Sequence, residues 1–413
     1  MKKEKTIIRE QWILVGLAIL VILGFSGCSS NEGETTELQQ QNAMGFAACL
    51  ADNESTAGAR ETRAVGDGEF TTDQLKSAGF GVYCWYTGTK IVPNTLTGED
   101  HIKNYTTTIL MRNQRVEWKN SNWTYAPTKY WPLYADERLT LRAYAPYVSY
   151  DLQTDAHGMP MLPVVVKADD YQNGTQHDPL WGTSKHEGTT DAEDATTNNE
   201  VYGKLYNNYT HQMSGSLLAK DSKDGIIEWY FHHGMTKLIF ACTLIASPGC
   251  DKVVIRGIKI TPLYNQGLLD ISSSSESDSY PDKPYWTDCA GNMTVDIGET
   301  YLNLEVPANE DPSKESNPVD ILNKNGLLII PRIFSGSGDD KMTITVTYTI
   351  DDDIIDHKQD AKAEITPTFY GNTVYTMNLK LTPATNGLDI TMVQSAFTPW
   401  KDGGTGDHEV YNW

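Results

Sequence analysis

The sequence predicts an all-β protein built from two antiparallel β-sandwich domains. Apolar and polar residues alternate with a period of two in several segments, most clearly in "MTITVTYTI" (342–350) and "RLTLRAYA" (138–145). This alternation is typical of strands with one buried face. Turn signals, such as the Asn-Gly pairs at 325–326 and 386–387, separate the segments. No long segment after the N-terminal apolar run has the 3.6-residue period of a helix.

The N-terminus predicts a signal peptide over residues 1–27. Basic residues precede an uninterrupted apolar run at 12–25, which is shorter than the about 20 residues that a transmembrane helix needs. Small residues then lead into Cys28, an ending that resembles a bacterial lipobox and implies cleavage before Cys28 and acyl chains on it. Because two acyl chains anchor stably, we expect a tethered but otherwise soluble chain. The alternative is an ordinary signal peptide with an incidental cysteine.

Residues 28–63 are predicted to form a lipidated, polar leader that acts as a solvated tether. One stretch within it, "MGFAACL" (44–50), has apolar residues at alternate positions, which indicates a half-buried strand. An apolar strand is unexpected in a polar leader and needs a surface to cover. The alternative is that 44–50 is an apolar stretch of linker without a structural role.

The rest of the chain is predicted to form an N-terminal sandwich over 64–222 and a C-terminal sandwich over 223–413. A polar stretch from 186 to 225 gives the boundary, because its composition cannot build a core. A short helix is expected at 72–79. Besides the two segments quoted above, the predicted strands are 80–87, 109–117, 163–167, 227–231, 236–246, 252–261, 301–306, 326–333, 374–381 and 388–398.

The net charge of −21 is not that of a protein built to bind nucleic acid or anionic lipid surfaces. Five cysteines remain beyond Cys28, and these are Cys49, Cys84, Cys242, Cys250 and Cys289. An odd and scattered set does not form a disulfide framework or a zinc-binding pattern. Most of these cysteines are expected to be small buried residues, and a single disulfide stays open.

The sequence contains no motif for catalysis, cofactor binding or metal binding, so the chain is predicted not to be an enzyme and to need no cofactor. The remote alternative is a hydrolase whose acidic residues meet only in the folded chain. The adjacent His232 and His233 would point to opposite faces of a strand and therefore cannot share a metal ion. The acidic run at 351–353 lacks the alternating ligand spacing of a calcium loop. We expect it to be a solvated turn.

An aromatic-rich segment at 118–134 has two interpretations. Exposed aromatic rings stack on sugars, which would make Trp118, Trp123 and Trp131 a contact site for host or bacterial surface glycans. Aromatic residues also fill the cores of β-sandwiches. Burial distinguishes the two, since a glycan platform needs an exposed, coplanar pair of rings.

In their order along the chain, several segments resemble the fimbrillin-like proteins of Gram-negative anaerobes, which include major and minor fimbrial subunits. The resemblance also includes the lipobox ending and covers nearly the whole mature chain. The segments that carry it are "ETRAV" (61–65), "FGVYCWYTG" (80–88), "KYWPLYADERLTLRAYAPY" (129–147), "DPLWGTS" (178–184), "FHHGMTKLIF" (231–240), "GNTVYTMNLKL" (371–381) and "AFTPWKDG" (396–403).

This resemblance implies β-sandwich domains of transthyretin-like type and export as a lipoprotein of the outer membrane. In polymerising members it also implies trypsin-like cleavage after an arginine. The mature leader has its arginines at Arg60 and Arg63, and so these are the predicted processing sites.

Together these features predict a structural or adhesive subunit of a cell-surface fimbria, whose partners are other fimbrial subunits. Cleavage at Arg60 or Arg63 would release strand 44–50 and expose an edge that templates pairing with another chain. A C-terminal segment, either 387–397 or the tail to Trp413, is expected to be the donor strand. The alternative is a monomeric outer-membrane lipoprotein that binds glycan.

Overall fold

The computed structural model describes most of the chain after the leader. Its described residues are 42–50, 70–93, 96–186, 201–204, 206–211, 225–245, 250–274, 284–311, 313–322, 326–338, 340–350, 358–384 and 387–399. Cys28, Arg60 and Arg63 lie outside these ranges, as does the predicted signal peptide, and the predictions made for them stay predictions. Within the described ranges, no helix is long and apolar enough to cross a membrane.

Strands dominate the described residues, so the predicted all-β class is confirmed. The strands are β1 Gly45–Leu50, β2 Phe80–Gly88, β3 Thr108–Lys119, β4 Asn122–Thr124, β5 Arg138–Ala145, β6 Gln153–Thr154, β7 Pro160–Val165, β8 Leu180–His186, β9 Val201–Lys204, β10 Tyr206–Tyr209, β11 Ile226–His233, β12 Thr236–Leu244, β13 Lys252–Leu263, β14 Gln266–Ser274, β15 Pro284–Ala290, β16 Met293–Ile297, β17 Leu304–Pro307, β18 Val319–Asp320, β19 Leu327–Ile329, β20 Met342–Ile350, β21 Gln359–Ile365, β22 Thr373–Ala384 and β23 Gly387–Pro399. The helices are α1 Thr72–Ala78, α2 Ile102–Tyr105 and α3 Asp170–Asn173.

Nine strands form sheet A, in the order β1-β11-β8-β5-β2-β3-β4, with β10 paired to β5 and β9 paired to β8. Successive residues of the central strand β2 enter different cores. Val82 and Cys84 pack on one side of the sheet, and Tyr83 and Trp85 pack on the other. Because both faces are covered, β2 consists of nearly continuous apolar and aromatic residues instead of an alternation.

Two five-stranded sheets enclose the core of the C-terminal part. Sheet B has the order β18-β12-β22-β23 with β19 paired to β12, and sheet C has the order β16-β13-β20-β21 with β17 paired to β13. Strand β20 contributes Met342, Ile344, Val346 and Tyr348 to this core. The intervening threonines lie on the other face of sheet C, as the alternation of this segment predicts.

A four-stranded sheet, sheet D, combines both parts of the chain. Its order is β15-β14-β7-β6, so β14 from the C-terminal part pairs with β7 from the N-terminal part. Leu162 and Leu269 of sheet D share a core with Trp85 and Trp181 of sheet A. The sandwich that contains sheet A therefore needs strands that follow β13 in sequence.

Strand pairing bears on the predicted domain limits of 64–222 and 223–413. β11 follows the predicted boundary, yet it pairs with β8 and β1 of sheet A. The chain passes from sheet A to sheet B between β11 and β12, at Gly234. We therefore propose that the N-terminal sandwich continues through β11 to His233, includes β9 and β10 of the polar stretch, and takes in β14 and β15 from the C-terminal part.

Candidate assembly site at the leader strand

The described part of the leader, residues 42–50, lies at the edge of sheet A. β1 pairs in parallel with β11, in a register that places Gly45 opposite Ile226. The Gly45 amide donates to the Gly225 carbonyl at 2.9 Å, just before this ladder begins. Because β1 is the last strand of the sheet, its removal would leave β11 as an open edge.

A second segment, residues 129–131, pairs with the start of the described leader. The Met44 amide donates to the Lys129 carbonyl at 2.9 Å, and the Trp131 amide donates to the Asn42 carbonyl at 2.8 Å. The leader is thus hydrogen-bonded first to this segment and then to β11. We call the space that the leader occupies between these two backbones the leader lane.

Three leader side chains fill the core on one face of sheet A. Met44, Phe46 and Leu50 are each at most 6 % exposed. The Phe46 ring packs edge-on against Phe80 with centroids 6.2 Å apart, and it lies 5.1 Å from the Tyr125 ring. Full burial of a side chain of this size contributes about 1.5–3 kcal/mol. We therefore expect apolar contact to contribute most of the free energy that holds the leader in its lane.

Met44 is the residue at which the leader changes its backbone partners. Its amide bonds to Lys129, whereas the next amide, that of Gly45, bonds to Gly225. The Met44 carbonyl accepts a hydrogen bond from the Tyr125 hydroxyl at 2.9 Å, and this hydroxyl accepts one from the Lys129 amide at 3.1 Å. Burial raises the pKa of Tyr125 to about 12. The hydroxyl therefore keeps its proton even in alkaline solution, and the 2.9 Å contact makes it a donor to the leader.

Two glycines allow the close backbone approach in the lane. A Cβ atom on Gly45 would lie 3.1 Å from Cγ1 of Ile226, and one on Gly225 would lie 3.0 Å from the Ala43 carbonyl oxygen. Gly225 also has a φ of 105°, which other residues adopt only with strain. Its carbonyl accepts hydrogen bonds from the Gly45 amide and the Trp131 indole, each at 2.9 Å.

The three tryptophans predicted as a glycan contact do not form one surface. Trp131 is 2 % exposed, and its indole supports the lane from inside. Trp118 and Trp123 are half-buried cross-strand neighbours, whose rings are 5.2 Å apart at an angle of 67°. Trp123 also packs edge-on against Phe80 at 5.0 Å. These rings are not coplanar, and the glycan site stays a prediction.

Sequence reasoning does not identify Gly45, Gly225 or Tyr125 as site residues. A glycine inside an alternating strand is a signal of close backbone approach, and that signal is present at Gly45. No comparable local signal marks the other two, because their roles depend on which distant segments meet.

The adjacent histidines of β11 have separate buried partners. His232 shares a hydrogen bond with the Thr183 hydroxyl through Nε2 at 2.8 Å, and His233 contacts the Asp178 carboxylate through Nδ1. Burial lowers the pKa of His232 to about 3, so this ring is neutral at neutral pH. Among the residues that the structure describes, no group of three His, Cys, Asp or Glu side chains could hold a metal ion.

Comparison with solved structures finds fimbrial proteins of similar fold. A fimbrial protein from Bacteroides vulgatus is 17% identical, covers 87% of this chain and 100% of its own, and has a TM-score of 0.55. A fimbrilin from Porphyromonas gingivalis is 9% identical, covers 87% of this chain and 98% of its own, and has a TM-score of 0.37. The first of these likenesses supports the fold, and the second is too low to carry an argument. A comparison with curated proteins gives no match.

A family model gives the assignment. The model described as fimbrillin-like matches residues 62–400, which include strands of all four sheets. The match begins beyond β1, so the strand that fills the leader lane precedes the matched region. On the extent of this match, the chain belongs to the fimbrillin-like family.

Proposed function

We propose that the protein is exported as a lipoprotein precursor, cut after Arg60 or Arg63, and built into a fimbria by exchange of its leader strand. Lipid on Cys28 would hold the precursor at the outer membrane. Release of β1 would then open the leader lane to a strand of another subunit. The partners are other fimbrial subunits, either copies of this chain or different ones.

The general role of the protein follows from its family. Fimbrillin-like proteins are fimbrial and adhesion proteins and are not known as enzymes. The chain is accordingly a fimbrial or adhesive subunit at the cell surface. The proposal concerns how such a subunit is anchored, processed and joined.

The observation that carries the proposal is the position of β1. This strand completes sheet A, yet it belongs to the leader and precedes both proposed cleavage sites. A cut after Arg60 or Arg63 would leave β1 attached to the body by noncovalent contacts alone. A strand held in this way can be replaced by another of similar shape, and addition of a strand to an open sheet edge is a common mode of recognition.

On the opposite side of sheet A, the part of β3 that does not pair with β4 is covered by a neighbouring segment, which supports exchange at β11. On β3, Asn113 has a φ of 47° at a register shift, and its side chain donates to the carbonyls of Val148 and Tyr150. Arg112 of the same strand pairs with Asp151 at 3.1 Å. Bulges, charges and a covering segment are the devices by which natural sheets prevent edge pairing. We therefore expect strand addition at β11 once β1 has left.

The leader sequence also indicates which strand would replace it. In β1, Gly45 is followed at +1, +3 and +5 by Phe46, Ala48 and Leu50. Beyond the signal region, a glycine followed by apolar residues at these positions, with large ones at +1 and +5, recurs at 81–86 and 387–392. The first recurrence lies in β2, which has a partner on each side.

The second recurrence favours the C-terminal donor. It begins β23, which pairs with β22 as the outer strand of sheet B in the described part of the chain. With Gly387 in the position of Gly45, Leu388 would replace Phe46 and Met392 would replace Leu50. The glycine would then lie against Ile226, where a Cβ atom on Gly45 would come within 3.1 Å of Cγ1.

Native gels of the purified mature chain, before and after treatment with an arginine-specific protease, test the proposal. The cut protein should form a ladder of polymers, and the double variant Arg60→Ala/Arg63→Ala should stay monomeric. Gly387→Val should be cut and remain folded but fail to polymerise, because its side chain would meet Ile226.

The matched control is Asp389→Asn, at a position that faces away from the core in the same alignment, and it should polymerise like the wild type. A cut wild-type protein that stays monomeric and folded, with or without other fimbrial subunits, would show that the proposal is wrong.

A further inference from the structure

We infer that the Tyr125 hydroxyl is a latch that retains the leader strand after the chain has been cut, so that cleavage and detachment are separate steps. The inference rests on the proposed function, since it concerns what happens at the same lane between proteolysis and strand exchange. It assigns a role to a residue of the body that belongs to neither of the two backbones bordering the lane.

The latch acts at the point where the leader is least supported by its ladders. At Met44 the leader leaves the pairing with residues 129–131, and at Gly45 it begins the pairing with β11. The Tyr125 hydroxyl is inserted between the Met44 carbonyl, to which it donates at 2.9 Å, and the Lys129 amide, from which it accepts at 3.1 Å. A second acceptor, the Lys129 carbonyl, lies farther from the hydroxyl at 3.4 Å. An unsatisfied carbonyl at this largely buried residue would destabilise the docked strand.

Tyr125 is held in position for this contact whether or not the leader is cut. Its hydroxyl accepts a hydrogen bond from the Lys129 amide at 3.1 Å, which belongs to the body. Its ring lies 5.1 Å from the Phe46 ring, so the same side chain contacts both the backbone and a side chain of the leader. A donor that is already oriented loses little entropy when the leader binds.

Because of the order of residues along the chain, the latch would also hold the cut body at the membrane. Cys28, the proposed lipid site, and β1 both precede Arg60 and Arg63, so a cut there leaves the anchor and the leader strand on one fragment. The body then stays at the membrane only while β1 remains in the lane. Retention by Tyr125 would hold each cut subunit at the surface until another strand takes the place of β1.

Fluorescence anisotropy of a fluorophore on the leader's N-terminal end measures this retention. The mature chain is cut with an arginine-specific protease and held at nanomolar concentration, where exchange between subunits is suppressed by dilution. In the wild type the anisotropy should stay high after gels show the cut, and then fall slowly. Tyr125→Phe removes the one hydrogen bond that the hydroxyl makes to the leader, along with the bond from the Lys129 amide, and should make this fall about two- to tenfold faster.

The matched control is Tyr134→Phe, the same change at an exposed residue outside the two segments that border the lane. Its rate should equal that of the wild type. Circular dichroism and the thermal midpoint of uncut Tyr125→Phe check its fold. Independently of any variant, hydrogen exchange of the cut wild type should show the Trp131 amide, which donates to the Asn42 carbonyl of the leader, protected until the anisotropy falls.

Two results would overturn the latch: equal release rates for Tyr125→Phe and the wild type, or wild-type release that keeps pace with cleavage. Native gels at high concentration report separately on strand exchange. Polymer ladders together with equal release rates would remove the latch and leave the proposed function standing. If release is slow and Tyr125→Phe accelerates it, but no polymer ladder forms, the result would support the latch and contradict the proposed function.

Discussion

Replacement of Phe46 by alanine should undock the leader strand and leave the sandwiches folded. Phe46 is 6 % exposed and packs between the rings of Phe80 and Tyr125. Loss of a buried phenylalanine ring costs about 3–5 kcal/mol. The strand gains about 1.5–3 kcal/mol from each of Met44, Phe46 and Leu50, less the cost of ordering its backbone. The substitution therefore removes most of the net docking free energy, and the strand should leave instead of enclosing a cavity.

Hydrogen exchange of the leader amides, combined with urea unfolding of the body, measures the effect. In Phe46→Ala, the amides of residues 45–50 should exchange at the rate of a free peptide. The free energy of unfolding should fall by no more than the docking free energy, because the leader is released before the cores are affected. The matched control is Phe334→Ala, which removes a ring that is 4 % exposed in the core between sheets B and C. It should lower stability by about 3–5 kcal/mol and leave the leader protected.

Continued protection of the leader in Phe46→Ala would refute this reasoning. The strand would then be held by its backbone ladders, and side-chain burial would not be the main force in the lane. Equal loss of leader protection in Phe334→Ala would also contradict it, because docking would then depend on the stability of the whole chain.

Three further predictions concern the lane and the cores. Gly225→Ala should weaken leader docking by about 1–3 kcal/mol, because a Cβ atom there would lie 3.0 Å from the Ala43 carbonyl oxygen of the leader. The effect should appear as faster hydrogen exchange of the leader amides. Gly98→Ala, also at positive φ but with open space around it, should leave that exchange unchanged. Burial lowers the pKa of His232 to about 3, so below about pH 6.5 the unfolded chain protonates this imidazole more readily than the folded chain does. The free energy of unfolding should therefore fall by up to about 1.4 kcal/mol per pH unit toward pH 3. Urea unfolding of His232→Gln should lack this part of the pH dependence, and an unchanged slope would contradict the lowered pKa of His232. Burial raises the pKa of Cys84 and of Cys242, so neither thiol should react with Ellman's reagent before unfolding, and reaction in the native state would show that they are accessible.

The sequence predicts much of the local structure and little of the pairing between distant segments. The alternation at 44–50 correctly indicates which leader side chains are buried, because period-two burial is a local property of strands. It does not indicate that this strand runs parallel to β11 or that residues 129–131 pair with its start. Those contacts depend on how segments far apart in sequence are brought together.

For the same reason, local sequence patterns do not predict two other features of the fold. The polar stretch before β11 has the composition of a domain linker, although β11 pairs with strands on both sides within sheet A. The segment 266–274 does not alternate clearly, yet β14 pairs with β7 across more than 90 residues because Leu269 and Ile271 complete a core. Composition identifies what a segment can bury, and topology decides where it is buried.

The most direct test of strand exchange is the structure of an assembled fimbria by electron cryomicroscopy. The question is which strand lies beside β11 in each subunit. The account predicts density for a segment of a neighbouring subunit, residues 387–399 if the neighbour is a copy of this chain, with Gly387 against Ile226 and no trace of the subunit's own leader. Density for residues 45–50 of the same chain, still in the lane of every subunit in the filament, would contradict it.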